Sequence, residues 1–164
     1  MKVDIQEMNE QEIIEEIQSL CEKREFSKLK NLLSEMNPAD IASVLDEVSA
    51  NQRLLMFRLL AKEEAAETFV ELDSDNQQAL IHAFSDSELK EVLDELYLDD
   101  AVDVVEEMPA TVVKRILKNA DSEMRESINA LLKYPEDSAG SIMTPEFVDL
   151  KKDMTVEDAF KRIR

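Results

Sequence analysis

Apolar residues recur along this chain every twelve places. Met36, Val48, Leu60, Leu72, Phe84, Leu96, Met108, Ala120 and Leu132 form one row. Three places earlier stands a second row: Leu33, Leu45, Phe57, Phe69, Ile81, Leu93, Val105 and Leu117. Four places earlier stands a third, with Leu32, Val44, Met56, Leu80, Val92, Val104, Ile116 and Ile128. Offsets of 0, −3 and −4 describe one face of a helix. Twelve residues at 3.6 per turn overshoot three full turns by about 120°. A continuous helix would therefore spiral its apolar face away, so the chain must break once per period.

The breakers sit where the period needs them. Pro38 and Pro109 follow an anchor, a place where a first-turn proline is tolerated. Ser49, Asp73, Ser85, Asp99 and Asp121 offer N-cap side chains in the same window. Ser85–Glu88 and Ser74–Gln77 have capping-box spacing. The pattern predicts about ten helices of two to three turns, too short to be stable singly. They must stack into a solenoid or compact superhelix. The beat stops near Tyr134. Beyond it lie the only glycine and two of the four prolines. Glu146–Leu150 alternates like a short strand, and Thr155–Asp158 opens an amphipathic helix carrying Val156, Ala159, Phe160 and Ile163.

Composition agrees with an all-α chain. One glycine in 164 residues leaves little for hairpins. Apolar content of 44% excludes a disordered acidic tail. The charge narrows function. With 38 Asp+Glu against 19 Lys+Arg, the net charge is −19. Such a surface repels phosphate backbones and anionic membranes and attracts divalent cations or basic proteins. No signal peptide or membrane-spanning run is expected. Cys21, the only cysteine, reads as a small core residue in a reducing compartment. His82 stands alone and reads as a surface or edge histidine, not a zinc ligand. No nucleophile–base constellation or glycine-rich phosphate loop is present, and the chain is not expected to be an enzyme.

One acidic segment stands out. In YLDDAVDVVEEM (97–108), a helix starting near Asp99 turns Ala101, Val104, Val105 and Met108 inward. Asp99, Asp103 and Glu106 then share an outward face, nearly joined by Asp100 and Glu107. Like charges at i,i+4 cost a helix roughly 0.2–0.5 kcal/mol per pair, a sign that a hard dication reverses. Two readings stand. The carboxylates are an ion-dependent face, or the first ones complement the helix dipole, with Asp99 as N-cap.

Three stretches resemble the cytosolic region of MgtE-type magnesium transporters and channels: NPADIASVLDEV, LYLDDAVDVVEEMP and YPEDSAGSIMTPEFVDLKKDMTVEDAFKRIR. The third is similar to that family's entry into its first CBS motif. The resemblance implies a right-handed superhelix of about ten short helices over 1–134. A linker and the start of an incomplete CBS domain, with a truncated strand–helix segment, would cover 135–164. It implies a homodimer in which this part contacts the CBS and transmembrane regions of the same protein, on the cytoplasmic side of the cell membrane. The chain itself would be soluble. Bound Mg²⁺ at the acidic face would close the pore. Carried over residue by residue, the implied Mg²⁺ ligands are Asp99 and Asp103, with Asp100 adjacent, and Glu67 in KEEAAETF. From a different class, an acidic helical-repeat scaffold binding a basic protein remains the alternative.

Overall fold

The computed structural model describes residues 9–135 and 138–163. Its elements are α1 (Glu10–Glu22), α2 (Phe26–Leu33), α3 (Pro38–Glu47), α4 (Ala50–Phe57), α5 (Lys62–Glu71), α6 (Ser74–Ala83), α7 (Asp86–Leu93), α8 (Leu98–Glu107), α9 (Ala110–Asn119), α10 (Ser122–Leu131) and α11 (Val156–Ile163). From α2 to α10 the helices start at residues 26, 38, 50, 62, 74, 86, 98, 110 and 122, one every twelve. The apolar beat is thus the spacing of the helices themselves.

The chain keeps this period in two ways. Helices α2, α4 and α7 have 8 residues and end in a right-handed cap, at Ser34, Arg58 and Asp94. Helices α3, α5, α6, α8 and α9 have 10 residues. In these the anchor itself (Val48, Leu72, Phe84, Met108, Ala120) turns to extended backbone and becomes the C-cap. Either way the next helix begins on time.

Most helices pack on the second one along, while α2 lies on α1 and α6 also meets α9. The series α1–α3–α5–α7–α9 stacks in order, with α4 on α6 and α8 on α10 beside it. The three predicted apolar rows fill the common core. Ile41, Leu45, Met56, Phe69, Leu80, Ile81, Leu93 and Ile116 are almost wholly inaccessible. Phe57 lies edge-on to Phe69, at 6.2 Å and 76°, and 5.2 Å from Phe84. The row ends at Leu132, which is exposed.

A second pattern, invisible in the hydrophobic rows, closes four of the ten-residue helices, α3, α5, α6 and α9. Arg53 is buried and its Nε donates to the Leu45 carbonyl at 2.7 Å, its Nη2 to Val48 at 3.2 Å. Arg125 repeats this geometry on Leu117 and Ala120, both at 2.8 Å. Gln77 donates to Phe69 at 2.9 Å. For α6 the donor comes from α9, where Arg115 bonds Ile81 and Phe84. The acceptors are the last-turn carbonyls that a helix leaves without an internal partner. Arg53, Gln77 and Arg125 are each the fourth residue of their helix. Elsewhere that place is apolar, as in Ile41, Ala65, Leu89, Ala101 and Val113.

Three local expectations fail. Asp73, not Ser74, caps α6, accepting from the Asn76 N–H at 2.7 Å, which frees Gln77 for Phe69. Asp99 is not an N-cap, because α8 starts at Leu98 after Tyr97. Glu146–Leu150 forms no strand, and no strand exists among the described residues. A strand needs a neighbour to bond its backbone, and among the described residues none pairs with this segment. Phe147, Val148 and Leu150 are exposed, as are Val156, Phe160 and Ile163 of α11. Cys21 is half-buried against the core, and burial pushes its thiol pKa up. His82 is exposed. Among the described residues no helix is long and apolar enough to cross a membrane.

Candidate metal-responsive cleft

Helix α8 carries the acidic segment, and its apolar face explains its orientation. Leu98, Ala101, Val102, Val104, Val105 and Met108 are buried. This leaves Asp103, Glu106 and Glu107 exposed and Asp99 and Asp100 half-buried at the first turn. Tyr97 supplies no side-chain cap. Instead the Leu98 N–H donates to Oε2 of Glu146 at 2.7 Å, from 48 residues along the chain. A carboxylate there suits the positive end of the helix dipole.

Beside this helix end lies a cleft of about 650 Å³. Half of its lining is acidic and none is basic: Glu63, Glu67 and Glu71 of α5 face Asp100, Glu146 and the α7–α8 loop. The structure therefore brings Glu67 and Asp100 to one cavity. Asp99 and Asp103 do not line it, although both act on Asp100 through space. The Asp100 carboxyl is raised above its ordinary pKa. Burial is the main cause, followed by the charges of Asp99, Asp103, Glu146 and Glu71. Asp99 adds a second irregularity, for its Oδ1 is buried without a hydrogen-bond partner. An orphaned carboxylate oxygen is costly, and natural folds keep few of them.

The charged donors present are all carboxylates, the set a hard divalent cation takes. Among the described residues no three His, Cys, Asp or Glu side chains stand close enough to hold an ion together. Mg²⁺ keeps several waters and needs only one or two carboxylates, so the residues fit it as part of a shell. Sequence reasoning missed Glu146 and Glu71. Glu71 ends the same helix as Glu67, one turn on, and helical spacing could have found it. Glu146 meets α8 only through the tertiary fold.

A second cleft, of about 490 Å³, lies on the far side of Glu146, between the α7–α8 loop and α10. On another face, Arg58 Nε pairs with Glu88 Oε1 at 2.7 Å and Lys62 with Glu91 at 3.2 Å, tying α4 and α5 to α7. The acids there are neutralised by neighbours, as is Asp94 of the first cleft, which accepts from Lys90 at 2.7 Å, whereas Asp100 is surrounded by like charges.

Comparison with known proteins identifies the family. The family model described as the MgtE intracellular N domain matches residues 36–137. The magnesium transporter MgtE of Thermus thermophilus is 31% identical over 159 residues, covering 94% of this chain and 35% of that protein. Its namesake from Bacillus subtilis is 22% identical over 160 residues, covering 98% and 36%. The chain thus spans about a third of the length of the curated relatives it matches. Among solved structures, the cytosolic domain of the Mg²⁺ channel MgtE in complex with ATP superposes with a TM-score of 0.77 at 32% identity, covering 88% of this chain and 60% of that one. The soluble part of a magnesium transporter gives 0.78 at 22% identity, covering 94% and 61%, and bears on the fold alone. With most of its helical repeat inside the family match, and a relative above 30% identity along nearly its whole length, this chain belongs to the MgtE intracellular N domain family.

Proposed function

We propose that this chain is the Mg²⁺-sensing cytosolic domain of a magnesium transporter or channel, and that its acidic cleft reads the ion to close the pore. In this reading residues 1–134 are the sensing domain. Residues 135–164 are a linker and the beginning of a CBS domain, in a homodimer at the cytoplasmic side of the cell membrane. Asp99, Asp100, Asp103 and Glu67 contribute to the ion site, with further donors from the CBS region.

The observation that carries the reading is the cost built into Asp100. The fold half-buries this carboxylate and surrounds it with four others. Nothing in the apolar beat requires that, since α8 would pack equally well with neutral residues outside. A bound dication supplies the charge that turns this repulsion into attraction. The chain's own residues set how the empty cleft behaves. Asp100 repels Glu71 and Glu146 across it and is itself repelled by Asp99 and Asp103 on its own helix, and a surface that repels in this way opens when the ion is scarce. One or two carboxylates with retained water bind weakly, which suits a sensor of millimolar ion.

The test is gating in the full-length protein. Asp99→Ala combined with Asp103→Ala is expected to weaken Mg²⁺-dependent closure in patch recordings or ion-uptake assays. Unchanged gating in the double variant removes the ligand assignment.

A further inference from the structure

The face where α4 and α5 meet α7 holds a cavity of about 230 Å³, separate from both acidic clefts. Its floor is apolar: Phe57, Leu60, Ala65, Phe84 and Val92. The Phe57 and Phe84 rings lie 5.2 Å apart, tilted by 43°. The sequence explains the space. Ala65 is the fourth residue of its helix, a place that Ile41 and Leu89 fill in other beats. Alanine there withdraws side-chain atoms from a core that is otherwise close-packed, and apolar groups around the gap lose contacts. An apolar cavity of about 150 Å³ accepts benzene. The larger one here takes a single ring and a short polar extension.

The rim decides the charge of that extension. Two ion pairs cross it, Arg58–Glu88 and Lys62–Glu91, and they are unequal. Glu88 accepts from Arg58 at 2.7 and 3.3 Å and from the Ser85 N–H at 2.8 Å, so that carboxylate is fully engaged. Lys62 meets Glu91 at 3.2 Å, with side chains 65% and 57% exposed, and such a pair exchanges readily. A ligand ammonium that replaces Lys62 keeps Glu91 paired and releases the lysine to water. A ligand carboxylate would take Lys62, strand Glu91 and approach a chain of net charge −19. Glu91 also stands in the last turn of α7, where a cation suits the helix dipole.

We propose that this cavity binds a small organic cation, a primary amine bearing one aromatic ring, with the ring on Phe57 and Phe84 and the ammonium on Glu91. Ring meets ring edge-on or offset, as aromatic pairs prefer. Lys62 is the group displaced on binding. The site is independent of the ion-sensing reading: α5 contributes Lys62 and Ala65 here but Glu63 and Glu67 to the acidic cleft, and the two share no lining residue.

Titration of the 164-residue chain with 2-phenylethylamine, followed by NMR at constant ionic strength, tests this. The amides of Leu60, Ala65 and Val92 are expected to shift saturably, with a Kd on the order of 1 mM. Ethylamine lacks the ring and 3-phenylpropionate reverses the charge, and both are expected to bind there at least about tenfold more weakly. Glu91→Gln, at an exposed position, is expected to weaken 2-phenylethylamine roughly fivefold, whereas Lys62→Ala removes the competitor and is expected to strengthen it about twofold. Ala65→Leu fills the floor and is expected to abolish binding while the α8 amides stay in place. Equal, unsaturated shifts with both amines overturn the proposal, as do shifts centred on Glu67 and Asp100. Tighter binding of 3-phenylpropionate, or weaker binding of the amine to Lys62→Ala, overturns it as well, because the lysine would then hold the ligand.

Discussion

Helices α3 and α8 each have 10 residues and each opens a twelve-residue beat, but their ends are finished differently. Asn37 caps α3, accepting from the Asp40 N–H at 2.9 Å, and Pro38 fills the first turn. Arg53 closes its far end on three carbonyls. Every partner comes from the same or the adjoining beat. Helix α8 has no cap of its own and borrows Glu146. Among the described residues no side chain bonds its last carbonyls, and Glu106 and Glu107 stand beside them, against the dipole. The repeat thus satisfies α3 from within and leaves α8 to be completed from outside. Local disagreement of this kind, in a chain otherwise consistent across levels, is what the proposed ion site at α8 would require.

The sharpest way to break this comparison is at the caps. Arg53→Ala leaves buried carbonyls unpaired and is expected to cost about 2–4 kcal/mol in urea unfolding. Val113→Ala, at the same place after α8, is expected to cost about 1 kcal/mol, a packing loss only. Similar costs would show that the arginine is not a cap in any energetic sense.

The acids should differ in sign. Asp103→Ala removes like-charge neighbours at i±3 and i±4 and is expected to stabilise the ion-free chain by about 1 kcal/mol. That gain should shrink in excess Mg²⁺. Asp40→Ala in α3 removes a favourable first-turn acid and is expected to cost about 0.5 kcal/mol. Calorimetry with and without Mg²⁺ reads both, and a destabilised Asp103→Ala would contradict the account of α8.

The smallest effects lie in pH. Glu88 is bonded by Arg58 and by the Ser85 N–H, which lowers its carboxyl to about 2. Its contribution is present above the unfolded value near 4.5 and is lost as pH falls toward about 2. Asp100 runs the other way. Its folded pKa is raised, so its cost is present at neutral pH and is relieved as pH falls through that raised value. Acid titrations of stability are expected to show a shallower downward limb in Arg58→Met and a smaller preceding rise in Asp100→Asn.

The helical beat was readable because it is periodic, and a period averages over local accidents. Its failures are local. Ser74 and Asp73 both suit an N-cap, and only the fold decides which one the helix uses. Asp99 has the right chemistry for a cap, one residue too late. The capping arginines were legible in principle. Arg53 and Arg125 stand at a place in the beat that is elsewhere apolar, and a buried polar residue there requires a partner. The four site residues were named through resemblance as much as through charge. The fold places Glu67 and Asp100 in one cleft, while Asp99 and Asp103 stay outside its lining. Glu146 had no signal at all, because its partner lies 48 residues away and no spacing rule connects them.

The regular starting points of α2 to α10 also constrain how such a domain can change in length. Each start is locked to the one before by an anchor that must reach the core. Inserting a few residues inside a beat turns every later helix out of phase with its neighbours. Length can then change without repacking only in whole units of twelve, much as a coding sequence tolerates insertions in threes. The segment after Tyr134 carries no such frame. It is where insertions, deletions and new attachments can accumulate while the stack keeps its shape.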